Sequence, residues 1–411
     1  MTSFRLAALL FAALGCSSTV AATSATPVDA STPLDAATVD APTLDRPPTQ
    51  DAPPDAPTLD APPVDAPSPL VALRIWAGHF QTAALMSDLS LRMWGSNTFG
   101  EFGDGTTNRD VHRPTRVALA EVVQVAIGSF RVFARTRDGS VYAWGHNRNG
   151  ELGLGTRDND VVSPTRVEGL TGAVDLADGF AQLADRSVRG WGYNFNGQVG
   201  DGTMTDRLRP VPVVGVAGAT GIVRGCARLA DATLRCWGYN SSGEVGDGTT
   251  EDRFAPVAVT GIPEVLFVAT GAAHRCATLA EESLWCWGDN QHGQLGDGST
   301  VNRPTPTRVA GLRDVRTVAL GLNHSCAVTD AGEVWCWGEG AYGQLGDGTT
   351  NQRLSPTRVP GLTDVAEVAA GHFHTCARRR DGSVWCWGSS QFGQLGGGDT
   401  EFRFTPTRVV F

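Results

Sequence analysis

A Trp-Gly pair recurs at Trp94, Trp144, Trp191, Trp237, Trp287, Trp337 and Trp387, with steps of 50, 47, 46, 50, 50 and 50 residues. Seven copies of one unit of this length constrain the fold more than any single motif, because such a unit is too small to bury a face alone and gains its core by packing on its neighbours. Each copy reads, with losses, as "PTRVxGL", "VxxVAxG", "HxCAxxxDGxVWCWG" and "GQLGDGTT" followed by arginine. The runs are short, β-branched or aromatic and broken by Gly, Asp and Pro, and no apolar pattern persists with a 3.6-residue period. The expectation is all-β: a seven-bladed propeller of four-stranded antiparallel blades. Radial closure leaves such blades only short, protected edges.

The ends of the repeat array bear on closure. The chain stops at "PTRVVF", one strand into a new unit, and the array begins at "VALRIWAG", a unit lacking that strand. The two fragments together make one blade, so the strand around Thr407 to Phe411 is expected to pair beside Leu73 to Ala77, making 70–411 one closed domain.

Two segments precede it. Arg5, the apolar run Leu6 to Leu14 and then Gly15-Cys16 read as an export signal, too short for a permanent membrane span. "AALGCSS" resembles the bacterial lipoprotein cleavage box, with Cys16 as the lipid attachment point and Ala13 where leucine is usual. Residues 17–69 follow as an extended stalk. The stretch from Ala21 to Pro69 carries twelve of the chain's 23 prolines, and residues 21–70 hold eight aspartates against one arginine. Such a composition repels itself and has little to bury.

The remaining eight cysteines come in pairs ten residues apart: Cys226/Cys236, Cys276/Cys286, Cys326/Cys336 and Cys376/Cys386. With Arg380-Asp381-Gly382 as a three-residue hairpin loop, counting outward sets Cys376 opposite Cys386, at a separation a disulfide bridges. The first three units carry neither cysteine, having Ala83/Met93, Phe133/Ala143 and Phe180/Gly190 instead. Joint presence and joint absence are the mark of a bonded pair, and four disulfides imply an oxidising compartment.

"GHFHTCARRRDGSVWCWGSSQFGQLG" and its relatives resemble the repeat of the regulator of chromosome condensation family, more closely its exported bacterial members with paired cysteines. The resemblance covers residues 70–411 and implies the seven-bladed ring. It implies no particular activity: the nuclear exchange-factor function of the family is carried by no residue identified in this chain.

Composition removes several alternatives. The chain has no lysine, which excludes a P-loop and Schiff-base chemistry, and its formal charge of −10 argues against a nucleic-acid partner. The Gly-x-x-Gly-x-Gly of "GQLGDGTT" recurs between strands in every unit and reads as turn chemistry, with Leu295, Leu345 and Leu395 as core. Asp297 and Asp347 are placed to pair with Arg303 and Arg353, although Gly397 replaces the aspartate where Arg403 remains. His274, His324 and His374, with Gln81 and Arg131 at the same place, read as caps on backbone groups within their own blades. No metal, cofactor or catalytic set is expected.

The segment after each Trp-Gly varies most between copies. It places Phe99, His146, Arg148, Tyr193, Phe195, Tyr239, His292, Tyr342 and Phe392 around one rim, and aromatics with arginine dominate protein recognition. The functional expectation is a monomeric, non-catalytic binding or scaffold ring on the cell envelope, taking a protein or envelope component and reaching the membrane only through its lipid anchor. The rivals are a hydrolase or lyase with its site in the central channel, and a purely structural surface protein.

Overall fold

A computed structural model describes residues 70–157, 159–280 and 282–411. The readings of an export signal, of lipidated Cys16 and of the stalk lie outside these residues. Every described element is a strand, and the strands form seven four-stranded antiparallel sheets, each assembled in chain order. Blades 1 to 7 span residues 72–116, 122–166, 173–212, 219–258, 265–308, 315–358 and 365–408. Within a blade the chain runs from an inner strand at the central channel through second and third strands to an outer one.

Local sequence sets these positions. The third strand, Val384–Gly388 in blade 7, is β-branched and aromatic and sits mid-sheet. The outer strand always carries proline at its fourth residue, as in Pro306, Pro356 and Pro406. Proline has no N–H for a ladder, so it belongs on an edge, and there it discourages pairing with other chains.

That outer strand corrects the expected closure. Arg403–Arg408 pairs with the third strand of its own blade, Trp385 opposite Arg408 and Cys386 opposite Thr407. It does not pair beside Leu73 to Ala77. A strand leaving the Trp-Gly loop returns along the open edge of the strand it has just left, so "PTRV" ends a blade and does not begin one. The ring closes instead as one more blade-to-blade interface. The Ala72 N–H donates to the Gly382 carbonyl at 3.0 Å, and Phe411 meets Trp94 edge-on at 5.9 Å.

The core is seven wedges between blades. In each, the third-strand tryptophan packs against the middle of the preceding blade: Trp337 on Cys276 and Cys286, Trp387 on Cys326 and Cys336, Trp94 on Cys376 and Cys386. Six of these tryptophans are fully buried. Burying one indole is worth on the order of 5 kcal/mol before entropy is counted.

The disulfides form as the hairpin count requires. Cys226–Cys236, Cys276–Cys286, Cys326–Cys336 and Cys376–Cys386 are bonded, each with Cα atoms 4.1 Å apart. The Arg379 N–H donates to the Ser383 carbonyl, and Gly382 takes φ +80°. Alternation from that bonded pair makes Cys376/Cys386 a non-hydrogen-bonded pair, where side chains approach most closely.

Candidate functional face

The hairpin turns between inner and second strands and the loops after each Trp-Gly emerge on the same face of the ring, and these loops are built rigidly. In five blades the second loop residue is a fully buried asparagine: Asn97, Asn147, Asn194, Asn240 and Asn290. The side-chain oxygen of Asn290 accepts the Leu295 N–H at 2.9 Å while its amide donates to the Ser299 and Val301 carbonyls. Four residues further on, a Glu or Gln turns back to the loop: Gln294 accepts the His292 N–H and Gln344 the Tyr342 N–H. The loops vary at their tips and not throughout. Sequence reasoning treated the whole segment as variable and missed this scaffold, although the repeated Asn was its visible signal.

The structure sorts the nine rim residues into two groups. Phe99, Tyr342 and Phe392 are half-buried and join an aromatic run around one side of the face. Tyr342 stands 4.8 Å from Phe373, Phe392 lies 4.7 Å from Phe80, and Phe99 bridges Phe130 at 4.9 Å to His146 at 5.1 Å. Phe80, Phe130 and Phe373 come from the inner hairpins and were not singled out from sequence. Tyr193, Phe195 and Tyr239 are 44%, 59% and 49% exposed on blades 3 and 4, Arg148 is exposed on blade 2, and His292 is half-buried on blade 5.

Beside the second group the face is notched. In blade 7 six residues connect the paired Ala369 and Cys376, whereas in blades 3 and 4 two residues connect Ala177 to Phe180 and Val223 to Cys226. These two shortened turns, Asp178-Gly179 and Arg224-Gly225, open a cleft of about 500 Å³. Reading the sequence for an inserted loop overlooked it, yet the 47- and 46-residue steps had already shown a deletion. Phe180, Trp191, Trp237, Tyr193 and Tyr239 supply its aromatic lining.

The cleft is also strongly charged. Arg131 is tied to Asp178 of the next blade by two bonds of 2.7 and 2.9 Å. Arg224 donates to the Gly271 and Ala272 carbonyls at 2.6 and 3.3 Å, and burial lowers its pKa. Arg275 bonds the Glu244 carbonyl, and burial brings it down to about 10 against the pull of the Glu244 carboxylate. Burial raises the Glu244 carboxyl. Burial also opposes ionisation of Glu151, but hydrogen bonds from His146 and Asn149 outweigh it and hold this carboxyl at about 2. The central channel is lined mostly by small and aliphatic inner-strand residues such as Ala77, Ala126 and Leu320. His79 and His372 lie 3.3 Å apart at its mouth, lowered by burial to about 4 and about 2. Among the described residues no three His, Cys, Asp or Glu side chains gather closely enough to hold a metal ion.

The regulator of chromosome condensation (RCC1) repeat model matches residues 138–179, 234–278, 281–328, 331–378 and 381–411, and a second model of the same repeat matches 122–151, 265–294, 315–344 and 365–394. The chain belongs to the RCC1 repeat family. Among solved structures it is similar to yeast RCC1 (Prp20) bound to Kap60, with a TM-score of 0.69 and 21% identity over 84% of each chain. Prp20p from Saccharomyces cerevisiae, in a second structure, gives 0.68 and 23% over 84% of this chain and 87% of that one. No curated protein sequence matches.

In this RCC1-type ring the repeated motif is consumed by structure. The three glycines of "GQLGDG" in blade 5, Gly293, Gly296 and Gly298, have positive φ, and the Gly298 N–H donates to Leu354 of the next blade. A Cβ on Gly296 would meet the Trp337 indole nitrogen at 2.7 Å, so the motif lets a neighbouring tryptophan in. Leu295, Leu345 and Leu395 are core. Asp297 and Asp347 accept the Nε of Arg303 and Arg353 at 2.8 Å, and Arg403, facing Gly397, turns to Asp399 and Glu401.

The histidines do something other than cap their own blades. His274 Nε2 meets Ser325 Oγ at 3.0 Å, His324 meets Thr375 at 2.9 Å and His374 meets Thr82 at 2.9 Å, each across a blade boundary. Each hydroxyl donates its single proton to the carbonyl of Gln294, Gln344 or Gln394. The imidazole must therefore donate through Nε2, leaving Nδ1 unprotonated. Burial holds all three histidines neutral, with pKa values of about 3.

Proposed function

We propose that this RCC1-type propeller is a non-catalytic binding or scaffold module, exported and held at the cell envelope through lipidated Cys16, that engages a protein or envelope component with the loop face of the ring. One observation carries the reading. The side chains that differ between otherwise matching blades gather on this face, as an aromatic run on one side and exposed Tyr193, Phe195 and Tyr239 on the other. Exposed aromatics on a rigid frame supply contact area at little entropic cost. The four disulfides support an oxidising compartment. Proteins of this fold present surfaces to other proteins: the yeast relative was solved with Kap60, and its binding to Gsp1p and histones has been described.

The test is capture from envelope extracts by the full chain. Tyr193→Ala, Phe195→Ala and Tyr239→Ala together are expected to cut recovery of the captured component at least about tenfold, since hot-spot aromatics each exceed about 1 kcal/mol. Val174→Ala with Val214→Ala, on the opposite face, should leave it unchanged. Equal recovery by the rim variant would overturn the reading.

A further inference from the structure

The notch in blades 3 and 4 holds hydrogen-bond donors that the fold leaves unused. Five ring tryptophans, Trp144, Trp237, Trp287, Trp337 and Trp387, donate their indole N–H to a carbonyl of the preceding blade at 2.6 to 3.0 Å. Trp191, which lines the cleft, does not, and neither does Trp94 at the joint between blades 7 and 1: each Nε1 is buried without a partner. Arg275, 9% exposed, also has a buried Nε with no acceptor. Arg224 meets only backbone carbonyls and forms no ion pair among the described residues, while Arg131 beside it is already committed to Asp178.

Buried donors without acceptors are costly, and native structures rarely retain them without a ligand or water to answer them. The guanidinium-bearing Arg224 and Arg275 line a cavity of about 500 Å³, a size suited to a small ligand or a chain end, whereas the Nε1 edge of Trp191 lies against Gly153 of blade 2. A carboxylate answers that donor set best, because its two oxygens accept several charge-assisted bonds at once and fit the planar guanidinium. Glu244 limits what else can enter. Its Oε1 is also buried and unpartnered, so a ligand with a second, diffuse negative charge would be repelled there, whereas one amide N–H beside the carboxylate would be accepted. The rings of Phe180, Tyr193 and Tyr239 surround this polar floor.

We propose that this cleft binds a carboxylate carried next to an amide N–H on an aromatic or apolar body, the chemistry shared by a polypeptide carboxyl terminus and a free N-acylated amino acid. Arg224 and Arg275 hold the carboxylate, Glu244 takes the amide, and the aromatic lining takes the side chain. The site goes beyond the proposed rim surface and holds whether or not that surface has a partner.

Calorimetry on the full chain with N-acetyl-phenylalanine, its carboxamide, acetate, and a ten-residue peptide ending in phenylalanine with a free carboxylate decides it. The acid is expected to bind at least about tenfold better than its amide and better than acetate, the ratio that one charge-assisted contact gives. Arg224→Gln should abolish the preference of acid over amide. The peptide arm separates the sources: binding equal to the small acid assigns a chain terminus, and binding of the small acid alone assigns a free acid. Equal binding of acid and amide, an unchanged preference in Arg224→Gln, or no heat from the acid at 10 mM, well above the millimolar range of a single weak contact, would each overturn the proposal. Phe195→Ala, outside the cleft, should leave probe binding intact even if partner capture fails.

Discussion

Blades 1 to 3 and blades 4 to 7 solve one packing problem in two ways. The cross-strand pair at the centre of each blade must fill a slot against the tryptophan of the next. Blades 4 to 7 fill it with a cystine, and blades 1 to 3 with one large and one small side chain: Met93 with Ala83, Phe133 with Ala143, Phe180 with Gly190. Phe133 reaches Trp191 at 5.6 Å and Phe180 reaches Trp237 at 5.5 Å, both edge-on. The sulfur bridge is thus a space-filler as well as a tether, and volume is the constant across the ring.

The largest expected contrast appears in acid. His274, His324 and His374 occur only in blades 5 to 7, and their folded pKa values, about 3, lie below the ordinary 6.5. The unfolded chain takes up protons first, so stability is full above about pH 6.5 and falls as pH drops toward 3, by about 1.4 kcal/mol per pH unit for each histidine. Hydrogen exchange should show blades 5 to 7 opening before blades 2 and 3, and replacement of all three by Gln should reduce the pH dependence to the part that His79 and His372 retain. Simultaneous opening at every pH would break the contrast. Next in size, Phe133→Ala should cost about 3–5 kcal/mol in denaturant unfolding, against about 2–3 kcal/mol for joint Cys326→Ala and Cys336→Ala, where a ten-residue loop contributes up to about 2.7 kcal/mol. If reduction of the disulfides leaves the midpoint unmoved, packing alone holds those hairpins. The smallest effect is favourable. Leu89 takes φ +61° where Gly139 and Gly382 hold the same turn position. Leu89→Gly should stabilise by about 0.5–1 kcal/mol, since a left-handed leucine costs more than the added chain freedom.

The fold was legible because several levels of the sequence repeated with the same period: the glycines of the loop motif and the edge prolines agreed seven times, and the paired cysteines four. The blade boundary was not, because "PTRV" reads equally well as a first or a last strand until the register of Trp385 and Arg408 is known. The histidine bonds were misassigned for a related reason: a one-dimensional repeat shows what each blade contains and hides what each gives to its neighbour. The variable positions could be read as one set of loop tips, but the notch beside Tyr193 and Tyr239 could not. A deletion leaves no residue to notice, and the four residues missing from each of the two turns, in blades 3 and 4, matter through the space they vacate.

The interface between blades 7 and 1 repeats the histidine–hydroxyl bond of the one before it, although Trp94 there lacks the indole bond that Trp387 makes. His374 reaches Thr82 as His324 reaches Thr375, and no strand is shared across the gap. The ring therefore has no privileged starting point. Joining residue 411 to residue 70 by a short linker and cutting in another inter-blade loop should give a permuted chain with the same architecture, and gain or loss of a whole repeat in such genes would disturb one joint only, leaving every sheet intact.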